Sequence, residues 1–350
     1  MSNQEPYCGD IFQKIAVYYH KNIYVNITIP TRLVGMILNL LNLLVFTRKT
    51  MNSPPNLILA HLAFVDFIAL LLLTEQYWMM YIQPKSDFVR EQSYALTMLY
   101  WYTDIFGGTV QFISACLTVQ LAAWRYIAVV HPLKERHWCT KKITRNVVIT
   151  GYLICCVLFA IPYHLSFNIE TSSMNGKPSY RAIERDPIMF SIKGIVYGVM
   201  AKILPSLVLA GLTSRIVVVL LARKTHCEQL SPSANTRRGM KNVETRQKTH
   251  RSTAILLAVA ALFFVSEFPR GMLWLLRTIN ERDWGMCYIS LGHIFMQISD
   301  INTSITFMVY YTLSQQFRTT FKSLFNLNKR TTPIASGNTE DTESGKTSQV

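Results

Sequence analysis

The sequence predicts an all-α membrane protein: a seven-transmembrane helix bundle with a short amphipathic helix after span seven. Three observations predict it. Half of the 350 residues are hydrophobic and 16% are charged, against about a quarter charged in a soluble domain. The apolar residues fall in blocks long enough to cross a bilayer core, which takes roughly 20 helical residues. The Lys and Arg residues between those blocks gather on one side.

In chain order, the predicted spans are 27–46, 57–81, 94–130, 143–167, 187–222, 249–278 and 288–311. Each must be helical, because lipid leaves no partner for an unpaired backbone polar group. The third, fifth and sixth outrun the hydrocarbon core, so they tilt or project beyond it. Residues 1–26 have no basic stretch followed by an apolar core, so span one is expected to act as its own insertion signal. One set of loops collects 20 Lys and Arg residues and the other set 9. The positive-inside rule therefore places the N-terminus outside and the C-terminus in the cytosol of a multi-pass plasma-membrane protein. This asymmetry accounts for the net charge of +15 without invoking nucleic acid.

The loop 223–251 is basic and polar, and is expected to be flexible at its centre. After the last span, "SQQFRTTFKSLF" (314–325) sets Phe317, Phe321 and Leu324 on one helical face, with Arg318 and Lys322 between them. That pattern predicts a helix lying on the lipid at the inner membrane surface. Residues 326–350 read as a disordered cytoplasmic tail. No internal repeat is visible, which argues against a transporter built from inverted halves. Neither a His-x-x-x-His pair, a Ser/His/Asp set nor a phosphate loop stands in register with a span, so no enzyme is expected.

Polar residues inside the spans carry the functional signal. Asn39, Asp66, Ser114, Asn302 and Thr306 sit near mid-membrane in four spans and are expected to converge on one wet pocket. The alternative is plain helix–helix hydrogen bonding. Towards the outside stand four acids, Glu75, Asp104, Glu267 and Asp300, among rings that include Tyr77, Trp78, Tyr81, Tyr100, Trp101, Tyr102 and Trp274. Acids and rings together suit a cationic ligand with an aromatic group. For the rings the alternative is an interfacial belt, and for each acid a local ion pair. Asp104 is favoured for ligand contact because no Lys or Arg lies within one turn of it. In "SEFPRG" (266–271), Glu267 is expected to pair with Arg270 or with Lys202, as a structural pair or as a switch that a cationic ligand opens. Pro205 and Pro269 supply bends in spans five and six. Cys8 and Cys287 are the exterior cysteines and are expected to form a disulfide. Asn26 opens an exterior glycosylation sequon; the sequon at Asn302 lies within span seven and is expected to stay unused.

Asn39, Asp66, "WRYIAVVHPL" (124–133), Pro205, Pro269 and "INTSITFMVYY" (301–311) resemble the rhodopsin-like G-protein-coupled receptors over about residues 30–325. More narrowly, "TRKTMNSPPNLILAHLAFVD", "LLAVAALFFVSEFPRGMLWLL" and "NTSITFMVYYTLSQQFR" are similar to the myosuppressin and FMRFamide-type neuropeptide receptors and to the nematode serpentine receptor class w. Glu267 in place of the usual Trp before Phe-Pro is the most specific mark. The resemblance implies a receptor for an amidated peptide ending in Arg-Phe, coupled to heterotrimeric G protein of the inhibitory class. A chemoreceptor for a small molecule is the alternative. It implies Na⁺ and water at Asp66, favouring the inactive state, although Thr306 replaces the usual Asn.

The resemblance also implies that Arg125 and Tyr126 meet the G protein when span six swings out, with Leu133 inserting into it. Trp124, Thr249 and His250 stand where the family usually keeps acids that clamp the Arg, so raised basal signalling or a different clamp is expected. Residues 306–310 keep the Tyr of Asn-Pro-x-x-Tyr, as Tyr310, but lose its proline. The family's usual disulfide to the loop after span four cannot form, because Tyr100 and Trp101 occupy the place of its first Cys. Asp300 replaces the Lys of retinal proteins, and Gly107 the Asp of amine receptors. Ser and Thr residues in the tail suit receptor kinases and arrestin, and Ser348-Gln349-Val350 fits a PDZ ligand.

Overall fold

The computed structural model describes residues 14, 18–19, 24–78, 93–174, 177–184, 187–230 and 237–325. Five of its helices are long and apolar enough to cross a membrane: Asn26–Phe46, Pro54–Tyr77, Tyr94–Val130, Lys141–Leu165 and Ile188–Arg223. The sixth and seventh predicted spans fall on the helices Arg237–Ile279 and Glu281–Leu313. Span one packs against spans two and seven, span two against three, three against five, five against six, and six against seven. Span four leans on two and three from outside that ring.

Helix starts follow their capping chemistry. Ser53, Ser93, Thr140 and Ser314 each accept a hydrogen bond from the backbone N–H three residues on, at 3.3–3.4 Å. Each thereby satisfies one of the N–H groups that a helix N-terminus leaves without a partner. Two spans contain a π-helical segment, Cys156–Ala160 and Val196–Ile203, and a proline follows each within two residues, Pro162 and Pro205. Proline lacks the N–H that would close the preceding turn, so the ladder widens there. In span five, the Ser206 hydroxyl takes up the Lys202 carbonyl at 2.7 Å. Pro269 lies inside the span-six helix.

One expected bound is corrected. Span four ends at Leu165, and Phe167 opens a strand. Strands β1 (Phe167–Met174) and β2 (Lys177–Glu184) pair antiparallel, Phe167 opposite Glu184 and Met174 opposite Lys177. The loop without the usual disulfide is thus held by its own ladder, and by Thr97 of span three, whose hydroxyl donates to the Tyr180 carbonyl at 3.1 Å. In the basic loop, helix continues from span five to Leu230 and resumes at Arg237; the centre, 231–236, where flexibility is expected, lies outside the described residues. The terminal helix Gln315–Leu324 packs on spans one and seven. Phe317 is fully buried, with its ring 5.2 Å from Phe46 and 5.6 Å from Phe307. The tail from 326 lies outside the described residues.

Candidate functional site

The centre of the bundle is built from charges that the spans bring together. Span five approaches span six closely because both carry glycine at the crossing. A Cβ on Gly271 would stand 2.7 Å from the Lys202 Cβ and 3.0 Å from the Gly198 carbonyl oxygen. That approach puts Lys202 Nζ 2.5 Å from Glu267 Oε2. Ser299 of span seven donates to the other Glu267 oxygen. Of the two partners open to Glu267 in the sequence, the structure selects Lys202. Arg270 turns instead to Gln111 of span three, whose Oε1 also accepts from Lys202 and Tyr197, each at 3.2 Å. One amide oxygen therefore collects donors from spans five and six.

A second pair ties span one to span seven. Arg32 Nε donates to Asp300 Oδ2 at 2.8 Å, and its Nη1 to the Leu73 carbonyl at 2.6 Å. Arg32 is fully buried, and its guanidinium lies 5.8 Å from the centre of the Tyr77 ring. Sequence reasoning missed Arg32, although its signal was plain: a lone cation in an apolar run marks a site with a partner to be found. Gln111 was missed as well, because a single amide in a span reads as ordinary helix packing.

Two cavities flank this cluster. The inner one, of about 70 Å³, reaches from Arg270 through Asp66 and Ser114 to Asn302, Thr306 and Tyr310. A water needs roughly 10–15 Å³ by that measure, so several fit. Ser114 donates to Asp66 at 2.6 Å. Asn39 is corrected out of this group: its amide donates to the Gly35 and Thr303 carbonyls, tying span one to span seven. The outer cavity, of about 280 Å³, lies among spans one, two, six and seven; Arg32, Arg270, Tyr77, Tyr288 and His293 are in its wall. Arg270 borders both cavities.

The other predicted site residues are placed as follows. Asp104 is not open for a ligand's cation, because it accepts from Gln76 and from the Tyr163 hydroxyl. Both Glu75 oxygens are buried, with Thr103 of span three beside them. Trp101 stacks on His164 at 5.1 Å and 9°. Trp274 meets Tyr197 and Tyr288 edge-on, at 5.0 and 4.9 Å. Towards the far end of span three, no ion pair of Arg125 is formed among the described residues, and the Trp124 indole donates to Thr144 of span four at 2.9 Å. Tyr126 packs on His131 at 6.0 Å, and Leu133 is 88% exposed. Tyr310 is buried, edge-on to Phe46 at 5.4 Å. Asn26 is exposed, while Thr28 of its sequon is buried and bonded to Gln297 at 2.8 Å. Cys287 is buried and disulfide-bonded; Cys8 lies outside the described residues.

A ring of helices around a buried polar core, with a docked amphipathic helix after the seventh, is the geometry of a receptor that signals across a membrane. A family model described as serpentine type 7TM GPCR chemoreceptor Srw matches residues 26–328. The chain belongs to this family. It is therefore a G-protein-coupled receptor of the multi-pass plasma-membrane type. Among its relatives is the sex peptide receptor of Drosophila melanogaster, 23% identical over 84% of this chain and 70% of that one. The G-protein coupled receptor dmsr-1 of Caenorhabditis elegans is 24% identical over 90% of this chain and 70% of its own. The FMRFamide receptor of Drosophila melanogaster is 23% identical over 83% of this chain and 51% of its own.

Proposed function

We propose that this receptor is activated by an extracellular amidated neuropeptide ending in Arg-Phe and acts through a heterotrimeric G protein of the inhibitory class. The observation that carries the reading is Arg270, which borders both cavities. A ligand group that engages Arg270 from outside pulls on Gln111, and through it on Lys202 and Glu267. The ligand then favours whichever arrangement of spans five and six it binds better. Pro205 and Pro269 lie where those spans would pivot, uncovering Arg125 on the cytosolic side for the G protein. Glu75, which has Thr103 beside it and no cation paired with it among the described residues, is the acid that would receive the peptide's guanidinium. The names of the sex peptide and FMRFamide receptors support a peptide ligand. The Lys and Arg asymmetry supports an N-terminus outside and a C-terminus in the cytosol.

The oxygens of Asp66 and Ser114, with Asn302 and Thr306 in the same wall, fit a hard monovalent cation such as Na⁺. Such an ion would hold a positive charge beside Asp66 in the resting state. Receptor kinases, arrestin and a PDZ protein would act on the tail.

The test is a cAMP and calcium assay in cells with surface expression confirmed, screening amidated peptides that end in Arg-Phe. A fall in cAMP on peptide addition is expected. Silence towards the whole panel favours the second reading, a chemoreceptor for small molecules, which the family's description supports.

A further inference from the structure

The outer cavity is electrostatically one-sided. The buried charges around the two cavities are Arg32, Lys202 and Arg270 with Asp66, Glu267 and Asp300, but they are not evenly placed. Lys202 is neutralised by Glu267 and Arg32 by Asp300. Arg270 forms no ion pair among the described residues and donates to the neutral Gln111. Arg32 is fully buried, yet its Nη2 has no hydrogen-bond partner. Both guanidinium groups stand in the wall of the cavity, and no carboxylate does among the described residues. Glu267 and Asp300 act on Arg270 from beyond the wall, but an unpaired buried donor such as Arg32 Nη2 costs its full desolvation. The site is therefore incomplete without an acceptor. The rest of the wall, with Tyr24, Tyr77, Tyr288 and Met296, suits an apolar or aromatic body.

We propose that this cavity reads the acceptor end of the ligand: Arg270 and Arg32 Nη2 donate to an oxygen of the peptide's C-terminal carboxamide or carboxylate, and the terminal aromatic ring lies among the tyrosines. This rests on the peptide reading above and reverses the expectation drawn from the four acids. The cation of the ligand stays outside this cavity, and its terminal carbonyl goes deepest. Arg is suited to the task, since its planar fork donates two parallel hydrogen bonds to one acceptor group.

Two measurements test it. In the first, the purified receptor is melted with millimolar N-acetyl-phenylalaninamide, N-acetyl-phenylalanine or phenethylamine. The amide and the acid raise the melting temperature and the amine does not; in Arg270→Gln the shift is lost, and in Arg270→Lys it is partly kept. Stabilisation by the amine instead, a shift retained in Arg270→Gln, or no shift with any probe overturns the proposal. Elution as a monodisperse species shows that each variant is folded. In the second, a peptide that activates wild-type cells loses roughly tenfold or more in potency on Arg270→Gln at matched surface expression, the loss of a charge-assisted hydrogen bond. Equal potency overturns the proposal. If the fragments bind as described and no amidated peptide activates the wild type, the acceptor site stands and the peptide reading falls.

Discussion

The outer half of the bundle and its cytosolic end treat cations in opposite ways. Lys202 and Arg32 are fixed by carboxylates at 2.5 and 2.8 Å, in spans distant in sequence. Arg125 has no such partner among the described residues, and the neighbouring Trp124 holds span four through Thr144 instead. The resting arrangement is thus secured near the ligand cavities rather than by an ion pair at the G-protein face. Desolvation explains the division. Deep in the bundle an unpaired charge is costly, whereas a cation at a helix end reaches water along its own stem.

Substitutions sharpen this contrast, in falling order of effect. Lys202→Ala leaves Glu267 charged and buried, and is expected to destabilise the receptor by about 3–5 kcal/mol. The double variant Lys202→Met with Glu267→Gln loses less than that single one, as unfolding of the purified receptor in bicelles would show. If the single and double variants melt together, the pair is not what holds spans five and six. Trp124→Phe removes one interhelical hydrogen bond and costs about 0.6 kcal/mol, the average for such bonds in a membrane protein. Arg125→Ala changes stability by less than about 0.5 kcal/mol, yet abolishes agonist-driven GTP turnover. A large stability loss there would reveal a clamp and erase the difference between the two ends.

The smallest effect is chemical. Burial, and secondarily the Glu135 carboxylate, push the Cys139 thiol above its ordinary pKa. The thiolate is the reactive form, so alkylation of Cys139 rises with pH later than for a free thiol. Glu135→Gln moves that rise to lower pH, read by mass-spectrometric peptide mapping across a pH series.

The spans were legible because each apolar block is a local property of the chain. The third was read at the bounds the structure shows, Tyr94–Val130. The terminal helix was legible from Phe317, Phe321 and Leu324, but not its docking, since the rings that cover Phe317 come from spans one and seven. The hairpin after span four had a local signal in the sequence Asn175-Gly176, a pair favoured in two-residue turns. The site was harder. Four acids and several rings could be named, but the cations that occupy two of the acids lie in other spans, and no local pattern couples them. Asp104 looked open because no cation lies within one turn; its partners, Gln76 and Tyr163, are uncharged.

The pair between Arg32 and Asp300 has a consequence for biosynthesis. Its partners are 268 residues apart, so Arg32 reaches the membrane long before the acid that neutralises it is made. At about 5–20 residues per second the interval is roughly 13–54 s. Throughout that time span one carries a cation whose insertion costs about 2.5–3.5 kcal/mol. Span one thus waits for span seven to be secured, and a nascent chain stopped before span seven exposes that unmet charge to the quality-control machinery as a mark of incomplete assembly.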